Sequence, residues 1–183
     1  MIKYLVLLLL VLVLAACETS TGPPPVDPIR VSCEPTQGEG GALALSVVIE
    51  NVSDGTLHIF DSGRMPYLLE EGDDLVILYG VNPPDPNTDY IAIEIPPTKA
   101  LPPGERVEDT VSLTPLRLGD HYGLPRERNS PVTRQGAVTV RCEVGWGETP
   151  ILPAPEEQAV RNINDLLAWQ ELSRSEPVEV QFP

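Results

Sequence analysis

The stretch Leu43-Ala44-Leu45-Ser46-Val47-Val48-Ile49-Glu50-Asn51-Val52-Ser53-Asp54-Gly55-Thr56-Leu57-His58-Ile59 decides the fold class. Leu43, Leu45, Val47 and Ile49 fall on one side of a period-two pattern, the spacing of a strand buried on one face. Asp54-Gly55 then interrupts two apolar runs, a strong turn signal, and Leu57 and Ile59 resume the alternation beyond it.

The same period extends outward in both directions. Ile29, Val31 and Cys33 alternate with polar neighbours before the glycine-rich turn Gln37-Gly38-Glu39-Gly40-Gly41. Leu75 to Tyr79 is continuously apolar, as in a strand buried on both faces. Ile91, Ile93 and Ile95 alternate until Pro96-Pro97. Leu101-Pro102-Pro103-Gly104-Glu105 reads as a tight connection into Val107, Val111 and Leu113. Val138, Val140, Cys142 and Val144 form another inward row, and Val178, Val180 and Phe182 close the chain. Seven or eight short strands bounded by Pro and Gly predict an all-β, antiparallel sandwich or barrel. Residues 155–168 carry Val160, Ile163 and Leu167 at helical spacing after Glu156 and Glu157. They form either a short helix or a loop leading into the last strand. A kink is expected over Ser173–Pro177.

The 183 residues divide into three parts. After Lys3, Tyr4 to Leu14 is an eleven-residue apolar run followed by Ala15-Ala16-Cys17. A positive end, an apolar segment and a small-residue exit are the marks of an export signal. The run is too short to span a bilayer as a helix, which takes about 20 residues. Thr19 to Pro28 is polar and proline-rich, suited to a semi-rigid, extended spacer. The predicted boundaries are a signal at 1–16, a modified Cys and tether at 17–28, and the sandwich at 29–183.

Leu14-Ala15-Ala16-Cys17 resembles the lipobox of bacterial lipoproteins. The resemblance implies cleavage before Cys17 and its acylation by fatty acids such as palmitate. The partner it implies is a membrane, reached through the N-terminal lipid in a cell envelope. Several acyl chains exceed the two-signal threshold for stable anchoring. Glu18, where an Asp tends to retain lipoproteins at the inner membrane, favours an outer membrane and its periplasmic face. Leu43–Asn51 with its Asn/Ser/Asp/Gly turn, and Leu-Pro-Pro-Gly-Glu before another strand, resemble the immunoglobulin-like β-sandwiches of bacterial envelope proteins.

With Cys17 assigned to lipid, Cys33 and Cys142 remain as an even pair in an exported chain. Each lies in phase with the apolar face of its strand, which predicts a buried disulfide. Two buried free thiols are the competing arrangement.

Charge narrows the partners. The chain holds 12 Lys+Arg against 27 Asp+Glu, a formal −15, which becomes −16 once Lys3 leaves with the signal. A field of that sign repels nucleic acid backbones, and few aromatics are present to stack bases. Nothing in the sequence marks a catalytic residue. His58 sits in the polar phase of its strand and reads as a surface histidine. His121, in Gly119-Asp120-His121-Tyr122-Gly123, groups an acid, an imidazole and a phenol, yet Asp-His is also ordinary turn chemistry. Asp85, Asn87 and Asp89 have the spacing that opens a calcium loop, but Tyr90 replaces its glycine and Pro96 its closing glutamate, so a turn is the simpler reading. The run Glu70, Glu71, Asp73 and Asp74 reads as a solvated face, and Asn51-Val52-Ser53, a glycosylation sequon in form, as a turn. No glycine-rich phosphate loop or cofactor fingerprint is present.

These features predict a lipid-anchored envelope protein whose non-catalytic sandwich binds another envelope protein or a polysaccharide. Its working loops are expected among Arg64–Asp74, Gly80–Asp89 and Gly145–Leu167. A protease-inhibitor-like sandwich, or a hydrolase using carboxylates the sequence does not single out, are the alternatives.

Overall fold

A computed structural model of the chain describes residues 26–84, 95–122, 133–151 and 163–183. The strand that decides the fold, β2 (Leu43–Asn51), lies between β1 (Ile29–Gln37) and β7 (Arg106–Ser112) in a three-stranded antiparallel sheet. Its register sets Cys33 opposite Val47, Val31 opposite Ile49 and Leu45 opposite Val111, so the inward rows of all three strands coincide.

The second sheet is larger. It orders β4 (Tyr67–Glu71), β5 (Asp74–Tyr79), β8 (Gly136–Gly147), β3 (Leu57–Phe60) and β6 (Thr98–Leu101), with β9 (Glu171–Arg174) and β10 (Val178–Phe182) also paired to β8. A helix, α1 (Ile163–Trp169), precedes β9, and a 3₁₀ turn at Glu39–Gly41 joins β1 to β2. The two sheets pack face to face over Leu45, Val47, Ile49, Leu75, Ile77, Val140, Val144 and Val180, all nearly inaccessible to solvent. The chain is an all-β sandwich.

Seven or eight antiparallel strands were expected; the described residues form ten, and one pairing is parallel. Leu75 to Tyr79 of β5 runs alongside Val140 to Val144 of β8 in the same direction. Parallel pairing requires a long crossover, and here it passes through β6 and β7. It also explains the unbroken apolar run in β5. Leu75, Ile77 and Tyr79 face the main core, while Val76 and Leu78 pack on the opposite side with Tyr67.

Asp54-Gly55 does not close a hairpin. It carries the chain from β2 in one sheet to β3 in the other, and Asn51 makes that crossing. The Asn51 amide nitrogen donates to the carbonyls of Gly55 and Leu101, and its oxygen accepts from the Ser53 amide and hydroxyl. Asn51 backbone groups bond to Gly104 and Glu105, so both the Asp-Gly turn and the Leu101–Glu105 connection are fixed by one residue. Gly104 adopts φ 74°, the left-handed backbone this turn demands. Asn51 is fully buried with its amide engaged, so the sequon is a turn element.

The helix occupies 163–169, overlapping the segment expected at 155–168 and ending one residue past it; positions 155–162 lie outside the described residues. The kink in the last strand is a bulge. Two residues of β8 separate Val140 from Glu143, whereas three separate Arg174 from Val178 opposite them. Side-chain phase reverses there, with Ser173 and Ser175 buried before it and Val180 and Phe182 after it. Ser175 holds the break by bonding the Cys142 amide through Oγ at 3.0 Å and the Cys142 carbonyl through its own N–H at 2.9 Å.

A disulfide and a phenol–carboxylate hydrogen bond also join the sheets. Cys33 of β1 and Cys142 of β8 form a disulfide, with Cα atoms 6.2 Å apart and a separation of 109 positions in sequence. Tyr79 of β5 donates from its hydroxyl to Asp109 Oδ2 on β7 at 2.7 Å. Burial, reinforced by the Asp109 carboxylate, raises the Tyr79 pKa far above its ordinary 10.0.

Both links make predictions. Replacing Cys33 and Cys142 together by Ala frees a loop of this length in the unfolded chain, which should cost about 4–5 kcal/mol in urea unfolding. For Tyr79, the unfolded chain releases a proton near pH 10 that the folded state retains, so stability falls as pH rises past 10.0. Tyr79→Phe should flatten that alkaline decline, measured as unfolding free energy between pH 8 and about 11.

Candidate functional site

The outer face of the seven-stranded sheet carries a second layer. Along β8 the inward residues are Val138, Val140, Cys142, Val144 and Trp146, so Gly145 and Gly147 present their α-carbons outward. α1 and the residue after it lie on them. A Cβ at Gly147 would stand 2.6 Å from the Trp169 ring, and one at Gly145 would stand 2.5 Å from Gln170 Oε1. Glycine is what lets this layer approach the sheet backbone.

Gln170 acts as a short extra strand. Its Oε1 accepts from the Val81 amide at 3.0 Å, and its Nε2 donates to the Val81 carbonyl at 2.6 Å. The next residue, Asn82, is held from the other side. Asn82 Oδ1 accepts from the His121 amide at 3.2 Å, and the Asn82 carbonyl accepts from the Tyr122 hydroxyl at 2.7 Å. Val81-Asn82 thereby ties the residues after β5, the Gly119–Tyr122 segment and the end of α1 into one platform.

Apolar contacts fill the space between. Phe60, Val81, Ile151, Ile163 and Leu166 are buried together, with Met65, Ile95, Tyr122 and Trp169 packed against them. Trp169 meets Phe60 edge to face at 5.0 Å and donates its indole N–H to the Thr149 carbonyl at 2.8 Å. Gly80–Asp89 and Gly145–Leu167, two of the expected working segments, meet on this layer through Val81, Ile151 and Ile163. Arg64–Asp74 joins it through Met65.

His121 is buried, not displayed. Its ring lies edge-on to Tyr67 at 6.0 Å and to Tyr122 at 5.3 Å, with its Nδ1 3.5 Å from the Tyr67 hydroxyl. Asp120 accepts from the Tyr122 amide at 3.0 Å, the turn bond expected of Asp-His. The acid of that trio thus closes a turn, and the imidazole packs between two phenols. His58 lies on the outer side of β3, opposite Ala100 and Gly147, in the polar phase expected of it, and is half-buried there.

The acidic run at the β4–β5 hairpin is partly neutralised. Glu70 pairs with Arg134, and Glu71 pairs with Arg141. Arg141 also reaches Asp74 at 3.8 Å and bonds Glu143 at 2.9 Å. Glu143 is buried and receives Arg174 at 2.9 Å as well. The hydrogen bond to Glu143 foremost holds the Arg141 pKa above its ordinary value.

A shallow groove of about 280 Å³ opens elsewhere, between Val26, Ile29, Val31, Val52 and Glu176. Three of its charged side chains are committed: Arg30 to Glu50, Arg174 to Glu143, and Asp27 to Ser173. Among the described residues, no group of three or more His, Cys, Asp or Glu side chains is placed to hold a metal ion. Cys17, Asp85, Asn87 and Asp89 lie outside the described residues.

Comparison of the chain with known protein families, with curated proteins and with solved structures finds no match.

Sequence reasoning passed over Gln170, Trp169, Tyr67 and Asn82. The signal that could have found the first two is the pair of glycines inside an otherwise regular strand, which marks close approach of another group. Gly145→Ala should therefore drive Gln170 from Val81, costing about 1–3 kcal/mol through overpacking. A red shift of Trp169 fluorescence, with the far-ultraviolet dichroism of the sandwich retained, would register that displacement.

Proposed function

We propose that this chain is a lipid-anchored protein of the bacterial cell envelope. Its immunoglobulin-like sandwich acts as a non-catalytic binding or adaptor module. The observation that carries the reading is the division of its three cysteines. Cys17 ends the lipobox-like Leu14-Ala15-Ala16-Cys17 after an apolar run, while Cys33 and Cys142 are joined across the sheets. A structural disulfide suits an oxidising compartment, the destination an export signal would give.

The tied layer on the outer sheet face supports a binding role. Val81, Asn82, Tyr122, Ile151 and Gln170 root several connections on one rigid platform, and loops carried by a rigid scaffold are the usual carriers of recognition. The partner on this reading is another envelope protein or a polysaccharide. The anchor places the domain on the periplasmic side of an outer membrane.

Two measurements test the two halves. Cys17→Ser should move the protein from the membrane to the soluble fraction; retention in the membrane with the signal uncleaved would overturn the lipid reading. Crosslinking in intact cells should trap one dominant partner. That adduct should be lost when Gln170→Leu and Asn82→Ala loosen the platform, and an adduct indifferent to both changes would remove the platform from the binding surface.

A further inference from the structure

The described chain begins at an edge of the sandwich. β1 is the outer strand of the three-stranded sheet, pairing with β2 alone, and Ile29 is its first residue. Tension on the N-terminal segment would load that strand at its end, where antiparallel pairs separate one after another. Two features stand against such peeling. One is the disulfide, four residues along the strand at Cys33. The other comes before the first pair.

Asp27 Oδ1 accepts from the Ile29 amide at 3.1 Å and from the Ser173 hydroxyl on β9 in the opposite sheet. Ser173 Oγ in turn accepts from the Trp146 indole N–H at 2.8 Å. Ser173 is fully buried and Trp146 is nearly so. The adjacent backbone is fixed too, because the Val52 amide donates to the Pro28 carbonyl at 2.9 Å. The relay Trp146–Ser173–Asp27–Ile29 thus bonds the entry of the chain to both sheets, and it does so through a carboxylate whose hydrogen bonds are stronger than neutral ones.

We propose that this relay is a latch. It fixes the point at which the N-terminal tether leaves the domain, and it passes tension on the tether into β8 and β9 so that β1 does not peel from β2. Its mechanical purpose rests on the lipid-anchor reading, but its existence does not. On that reading the load arrives along the ten residues 17–26, a reach of about 30 Å when extended. Between them, the latch at Ile29 and the disulfide at Cys33 leave only Arg30–Ser32 of β1 between fixed points.

Amide and indole hydrogen exchange on the full chain carrying Cys17→Ser tests the latch apart from the anchor. Asp27→Ala should speed exchange of both the Ile29 amide and the Trp146 indole proton at least tenfold, with Val47 and Val111 unchanged. Ser173→Ala should do the same to the Ile29 amide from the opposite sheet. Asp27→Asn, which keeps an acceptor oxygen, should hold Ile29 within threefold of the unsubstituted residue. A Trp146 indole within twofold of its original rate in Asp27→Ala would overturn the proposal. So would acceleration spread evenly through Val47 and Val111, since the relay would then be a general contribution to stability. Loss of the anchor reading would show instead in membrane fractionation of Cys17→Ser.

Discussion

Every layer of this domain is built on one strand that must be satisfied on all sides at once. β8 pairs with β5 and β3, and with β9 and β10, while one face packs on the three-stranded sheet and the other beneath α1. A buried strand cannot leave its amides unpaired without losing on the order of 1–3 kcal/mol for each. Its twelve residues therefore read as a list of solutions. Valines and Cys142 fill the inner face, glycines admit the outer layer, and Ser175 bonds Cys142 where the β9–β10 bulge breaks the ladder. The disulfide to Cys33 adds the covalent tie between sheets at the middle of this strand.

Three polar side chains of the fold are paired in the same spirit. Asn51 uses both ends of its amide, Asp109 has the Tyr79 phenol, and Glu143 has two arginines. Asp109 also sits on the inward row of β7, beside Val107 and Val111, at the free edge of the smaller sheet. An inward charge on an edge strand opposes the docking of a further strand there. The other edge, β1, carries Pro35, which offers no amide for pairing.

The inner half of the fold was legible because burial on one face writes a period of two. Ile29, Val31 and Cys33, then Leu45, Val47 and Ile49, and finally Val138 to Val144 announce the core, and the phase of the two cysteines announces the disulfide. The parallel pairing of β5 with β8 was not legible, although the unbroken run Leu75–Tyr79 pointed to burial on both sides. Nothing local in a strand records the direction of its neighbour. The outer layer was hidden for a different reason: it is held by side chains meeting backbone. Gln170 on Val81 and Tyr122 on Asn82 are contacts between segments 89 and 40 positions apart. His121 was noticed for its chemistry, yet its neighbours Tyr67 and Tyr122 make it a packing element.

Charge connects the domain to the environment proposed for it. Among the described residues Arg30, Lys99, Arg106, Arg134, Arg141 and Arg174 each face an acid within the chain, so the cations are largely spent internally. The surplus of acids is what a proposed partner or membrane would meet. An acidic domain gains nothing from anionic headgroups, so in the lipid-anchored reading the acyl chains alone would hold it at the bilayer. Repulsion of this kind is screened over about 8 Å at physiological ionic strength. On the same reading a proline-rich tether, about 30 Å if extended, would carry the domain past that range. On the proposed reading a stiff spacer and an acidic surface would act together: both would keep the sandwich off the membrane with its platform open to a partner.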